Sequence, residues 1–268
     1  MTCNGSVNIF LLGLASSMKT DIRTSDESQQ NVMTFAYAVS VTIMVAVSVI
    51  SNTVSIDTFR QNIIRSTTVG IYLLIYSCCS LFGILLLECR LFQLIDSLSY
   101  IPFFFICNII SGLASIFTRI CIWLNSLVAL QRSLHSFEHN YFLNKIRARL
   151  NAPKQILFLI IIIVLMHLHE LICRVTLSDP VAPGKFVCQI QYSRELLILN
   201  QVFTFFHLFI PFFLHIIATS LIITSISHRR AILHQTTHYQ QWIKQFRAHR
   251  HLFVSPLIAM VSSFFSFI

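Results

Sequence analysis

Apolar residues along this chain come in long unbroken blocks rather than in two-residue alternation or amphipathic stripes. Val32 to Ile56 is the first block, relieved only by small hydroxyl residues and Asn52. Thr67 to Leu87 is the second, and Ile101 to Leu130 the third, interrupted by Arg119. Gln155 to Ile172 is the fourth, and Leu196 to Ile226 the fifth, with Pro211 near its middle. Leu252 to Ile268 is the sixth. At about 1.5 Å per residue, a block of roughly 20 residues crosses a bilayer core of roughly 30 Å; the last block is at the short limit. Inside lipid a backbone satisfies its own polar groups only as a helix or a closed barrel, so each block is expected to be a helix. The pattern predicts an all-α polytopic membrane helix bundle over residues 32–268, with six transmembrane helices, preceded by an N-terminal segment over residues 1–31.

Composition agrees. Hydrophobic residues make up 55% of the 268 and charged residues only 11%, with a mean hydropathy of +0.73. A soluble domain carries about 25% charge, so too few polar groups are present to cover a water-facing surface. The net charge of +9 would suggest nucleic acid in a soluble protein. Here it is concentrated in alternate loops, which is how membrane proteins set their orientation, and no nucleic-acid partner is expected. Arg60, Arg65, Arg132, Lys145, Arg147, Arg149, Lys154, Arg229, Arg230, Lys244, Arg247 and Arg250 fall on one side. Lys19, Arg23, Arg90, Arg174, Lys185 and Arg194 fall on the other. This bias predicts a multi-pass protein of the plasma membrane with its N-terminus outside. Val7 to Leu14 is apolar ahead of Ala15-Ser16-Ser17, but lacks the basic start of a signal peptide and is short for a span. Asn4-Gly5-Ser6 is a glycosylation sequon that an extracellular N-terminus would make usable.

Charge and chemistry then single out a few residues. Cys107 and Cys188 both fall on the outer, oxidising face, where either a bridge or two free thiols would stand. Arg132 follows Cys107 by 25 residues, about 37 Å of helix, and is placed at the cytoplasmic end, where a snorkelling anchor is the plainest role. Arg119 lies about 18 Å below Cys107, near the bilayer midplane. A charge there costs at least ~2.5–3.5 kcal/mol and faces a cavity or a partner. It is a candidate to line a ligand cavity and to favour an anionic or carbonyl-bearing ligand, with bonding to backbone carbonyls or Glu170 as the alternative. His207 and His215 share a face two turns apart, suited to cavity polarity or interhelical hydrogen bonds. His167-Leu168-His169-Glu170 lacks the second histidine of a zincin helix, Cys173 standing in its place. No metal site is expected, and the cysteines carry no zinc spacing. The basic cluster from His228 to His251 reads as a solvated surface for anionic lipid or a protein partner. Neither paired acids nor a Ser/His dyad occurs at depth, so no enzymatic activity and no cofactor are expected.

With Trp123-Leu124-Asn125-Ser126-Leu127-Val128-Ala129-Leu130-Gln131-Arg132-Ser133 closing a helix opened by Cys107, the chain resembles the rhodopsin-like G-protein-coupled receptors. In that family the third helix begins with a disulfide cysteine and ends in an acidic-Arg-Tyr triplet at this spacing. The resemblance implies a Cys107–Cys188 disulfide tying the third helix to the loop before the fifth. It implies that Arg132 holds the resting state and then faces a heterotrimeric G protein. Asn52 takes the place of the polar anchor of the first helix, and Pro211 that of the fifth-helix proline that kinks beside the ligand cavity. The ligand would be an extracellular peptide or small molecule. The departures are equally specific. Gln131 and Ser133 replace the acid and the tyrosine, so the acid–base lock on Arg132 is missing and basal activity is expected to change. The second span has no aspartate, the fourth no tryptophan and the sixth no Cys-Trp-x-Pro core. The family's seventh helix is not reached, which implies truncation in or after the sixth. A six-span channel or transporter subunit, or a non-signalling receptor fragment, is the alternative. Against the first two stand a fourth span without repeated arginines and only six glycines in the chain.

Overall fold

The structure, a computed structural model, describes residues 7–9, 27–65, 67–94, 105–137, 141–178, 186–235, 237–248 and 253. Some side chains within these, including those of 27–31, 90–94, 141–150 and 186–189 with Cys188 among them, lie outside the description. In chain order the elements are β1 (Val7–Ile9), α1 (Glu27–Arg60), α2 (Asn62–Arg65) and α3 (Thr68–Leu94). A π-helical turn at Ile106–Ile110 runs into α4 (Ser111–Phe137), followed by α5 (Tyr141–Ile172), β2 (Arg174–Ser178), β3 (Phe186–Tyr192), α6 (Arg194–His234) and α7 (His238–Ala248).

Five of the helices are long and apolar enough to cross a membrane, over Phe35–Arg60, Thr68–Cys89, Cys107–Leu134, Asn151–Ile172 and Arg194–His234. They overlap the first five apolar blocks and contain the fourth and fifth whole; residues 101–104 of the third lie outside the described residues. The sixth block lies outside the described residues apart from Phe253. Six hydroxyls within the spans are absorbed by their own helix. The hydroxyls of Ser40, Thr53, Thr118, Thr219, Thr224 and Ser227 each donate to the carbonyl four residues back, at 2.7–2.9 Å. That return bond satisfies a polar group where water is absent. The helices overrun the apolar blocks. α5 starts at Tyr141, because neither the basic run before Pro153 nor Pro153 itself ends it. α6 continues to His234, so His228, Arg229 and Arg230 stand on its last turns rather than in a loop. It stops at Gln235, whose φ of 51° is left-handed, the conformation that closes many helices. The stretch expected to be a solvated linker forms α7, where Trp242 and Phe246 stack at 5.2 Å and Gln245 is buried.

The helical bundle is as expected, and one small sheet is added to it. A three-stranded antiparallel sheet, ordered β1-β3-β2, lies outside the spans. β2 and β3 form a hairpin with Thr176 opposite Cys188, and β1 adds to the free edge of β3 with Val7 opposite Tyr192. The short apolar run of the N-terminus thus begins as a strand. Period-2 patterning over so few residues carries little signal against long apolar blocks, so the sheet is a tertiary outcome.

The chain divides into two compact units. The first comprises Met1–Asp57, Ser77–Ile120 and Leu159–Phe203; the second Thr58–Tyr76, Cys121–Phe158 and Thr204–Ile268. In the first, Val41 and Val45 pack with Tyr37, Val49 and Ile84, and Cys173, Ile190, Tyr192 and Leu196 form a further cluster beside the sheet. In the second, Tyr72 is fully buried and donates to Gln155 Oε1 at 2.6 Å. There Thr67 caps α3, accepting the Gly70 N–H at 3.0 Å. A Cβ on Gly70 would strike the Ile64 carbonyl, so the corner between α2 and α3 needs glycine.

Candidate functional site

Ionisable chemistry in the first unit gathers where α5 ends. His167 and Glu170 stand three residues apart on one face of that helix, and Arg174 begins β2 just beyond it. A carboxylate near a helix C-terminus faces the partial negative charge of the last carbonyls, so it needs cations close by. Glu170 has them. Arg174 Nη2 donates to its Oε1, and His167 Nδ1 lies 3.1 Å from its Oε2. Ser115 Oγ, from α4, donates to the same Oε2 at 3.3 Å. Arg174 Nη1 also reaches the Cys107 carbonyl at 3.4 Å, binding the head of α4 to the start of β2. All three charged or ionisable partners are buried. Beside them the Tyr192 hydroxyl donates to Asn200 Oδ1 at 3.4 Å. Burial first, and then the Glu170 carboxylate, push that phenol well above its ordinary range, while Arg174 draws it partly back. His169 turns to other partners: its Nε2 is 3.2 Å from Asn200 Oδ1, and its ring stands 5.7 Å from that of Tyr192. The two histidines of the His-Leu-His-Glu run therefore do not converge, and no cluster of three metal-binding side chains occurs among the described residues.

Cys107 is buried at the head of the third span and is disulfide-bonded; so is Cys173. Cys78, Cys79, Cys89 and Cys121 are free thiols. Cys107 Sγ lies 3.9 Å from the Val175 carbonyl oxygen, in the strand facing β3. The backbone of Cys188 is in β3 opposite Thr176, and its side chain lies outside the described residues. Sequence reasoning passed over Cys173, treating it only as the residue that breaks a zinc motif. It likewise took Arg174 as one more loop cation, although an acid and an arginine four residues apart signal a pair.

In the first unit too, Asn52 is buried on α1; its Nδ2 donates to the Ser48 carbonyl at 2.9 Å and to Ser80 Oγ on α3 at 3.1 Å. Arg119 is half-buried on α4. Asn4 lies outside the described residues.

The second unit holds the remaining candidates. His207, 1% exposed, accepts from Trp123 Nε1 at its Nδ1, 2.8 Å away, with the two rings edge to face at 86°. One turn on, Pro211 carries no N–H and removes a hydrogen bond from within α6. The Ser126 hydroxyl, from α4, donates to the Pro211 carbonyl at 2.8 Å. Trp123 and Ser126 stand three residues apart, as their partners stand four apart, so one face of α4 meets one face of α6. Arg132 is exposed near the end of α4, and Ser133 is buried, its hydroxyl donating to the Leu130 carbonyl at 2.7 Å. Arg119 belongs to the first unit and His207 and Pro211 to the second, and each group is described within its own unit.

Large apolar side chains point outward along the spans: Phe35, Val47 and Ile50 on α1, Phe158 and Leu165 on α5, and Phe205 and Phe213 on α6 are all exposed. Water would not tolerate that surface, and acyl chains match it. With five helices of spanning length and an apolar outer surface, the chain is a helical, multi-pass membrane protein. No protein-family model matches it, and no curated protein matches it in sequence.

Proposed function

We propose that the protein is a ligand-activated receptor of the rhodopsin-like, G-protein-coupled kind, signalling by rearrangement of its helices and catalysing no reaction. One observation carries this reading most of all: a buried, disulfide-bonded Cys107 opens the third span in the π-helical turn ahead of α4, and an exposed Arg132 stands near the end of the same span 25 residues later. The hairpin of β2 and β3, between the fourth and fifth spans, supports a Cys107–Cys188 pairing, since Cys107 Sγ lies beside β2 and Cys188 is in the strand that pairs with it. The basic-residue bias supports an extracellular N-terminus at the plasma membrane, with Arg132 facing a heterotrimeric G protein. Gln131 leaves Arg132 without a carboxylate beside it in sequence, so the resting state is less firmly held and basal activity is raised.

The test uses the full chain in lipid nanodiscs with purified heterotrimers of each G-protein family. Nucleotide exchange should exceed that of empty discs. It should fall by about tenfold in Arg132→Ala, within the range of ordinary coupling energies, and should also fall in Gln131→Glu, which restores the acid. Exchange equal to empty discs with every family, or unaltered by Arg132→Ala, overturns the receptor reading. Ion or solute flux in the same discs would move the protein to the channel or transporter class.

A further inference from the structure

We propose that Arg119 anchors a binding site for a carboxylate-bearing ligand with an apolar body. Gly112, Ser115 and Arg119 stand at i, i+3 and i+7 of the same helical stretch and so share one face. That face meets α5. A Cβ on Gly112 would run into the Leu171 side chain, and Ser115 donates to Glu170. Arg119 lies one turn further on that face and is half-buried. The carboxylate that acts on it electrostatically is that of Glu170. That carboxylate is already occupied: Arg174, His167 and Ser115 take its two oxygens, and Arg174 balances its charge. Arg119 is thus a positive charge in excess. Its guanidinium makes no hydrogen bond among the described residues, although it carries five donors. A cation in an apolar span persists where it has a partner or faces a cavity. A carboxylate matches the planar guanidinium by two parallel hydrogen bonds. Ile116 and Ile120, three residues before Arg119 and one after it on α4, are buried and suit an apolar body rather than a second charge. The site does not depend on the receptor reading, because a transporter or channel could hold the same anion.

Thermal unfolding of the full chain in detergent, with octanoate, octanamide and inorganic phosphate as probes, tests the site without any G protein. Octanoate should raise Tm by about 2–4 °C in a dose-dependent way, and octanamide and phosphate should not. Arg119→Gln should abolish the octanoate shift and Arg119→Lys should keep part of it. Arg119→Met should raise Tm without ligand, because it removes a charge that has no hydrogen-bonded partner. An absent octanoate shift in the natural chain, an equal shift in Arg119→Gln, or a lowered ligand-free Tm in Arg119→Met each overturns the proposal. The last would mark Arg119 as a structural bond instead.

Discussion

The two units of this protein hold their helices together with different chemistry. In the first, the contact between α4 and α5 centres on a buried ion: Ser115 of α4 donates to Glu170 of α5, whose charge is met by Arg174 and His167, next to cysteines drawn into disulfides. In the second, α4 and α6 meet through neutral groups: an indole N–H on an imidazole and a hydroxyl on the carbonyl of Pro211. Ions buried without water are expensive to separate, because each partner leaves an uncompensated charge behind. Neutral bonds inside a membrane are worth little each, because alternative partners within the bundle compensate for their loss. The contrast makes the first unit a rigid clamp and the second a set of contacts that can be remade at small cost. A receptor of the proposed kind, shifting its helices on activation, would need both.

The largest expected effect comes from breaking the clamp. Glu170→Gln leaves Arg174 and His167 facing a neutral amide and should destabilise by about 3–5 kcal/mol. Adding Arg174→Gln should recover part of that loss, and a double-mutant cycle from thermal unfolding in detergent measures the coupling. If the two losses simply add, the ion pair is not the clamp. Next in size is Trp123→Phe. It removes the donor to the buried His207 and should cost about 1–3 kcal/mol, with the aromatic packing kept. Comparing it with Glu170→Gln in one assay gives the ratio of the two units' strengths directly, and a cost equal to that of Glu170→Gln would erase the distinction. The smallest is Ser126→Ala, at about 0.6 kcal/mol, the average for hydrogen bonds between membrane helices. Its effect on G-protein nucleotide exchange should exceed its effect on Tm, if the contact between α4 and α6 is one that activation remakes.

Much of this was legible in the residues. The long apolar blocks announced helices because lipid leaves a spanning backbone no other open-ended choice. The exceptions have physical reasons. Pro153 and the basic run before it resemble a boundary, yet α5 runs through both. His228 to Arg230 resemble a loop, yet they ride the end of α6. Gln235, with its left-handed φ, is what stops that helix, and a glutamine gives no warning of it. The site was legible in a different proportion. Asn52, Arg119 and His207 drew notice because polar groups in an apolar block need a reason. Trp123 and Ser126 did not, because an indole and a hydroxyl are unremarkable until a partner helix is placed against them. Arg174 was counted as a loop charge, and only the turn from α5 into β2 brings it back onto Glu170.

By itself, the sequence determined that this chain lives in a bilayer, roughly where each of its first five spans runs, and which few polar residues inside them require an explanation. Those outcomes depend on local hydrophobicity and on the hydrogen-bonding demands of a backbone in lipid, and both are written in short stretches of chain. Tertiary structure alone decided which polar residue meets which. The bond from Ser115 of α4 to Glu170 of α5, the addition of the N-terminal strand to β3 and the setting of Trp123 on His207 all join residues distant in sequence. Their pairing depends on helix rotation and register, which no local pattern specifies.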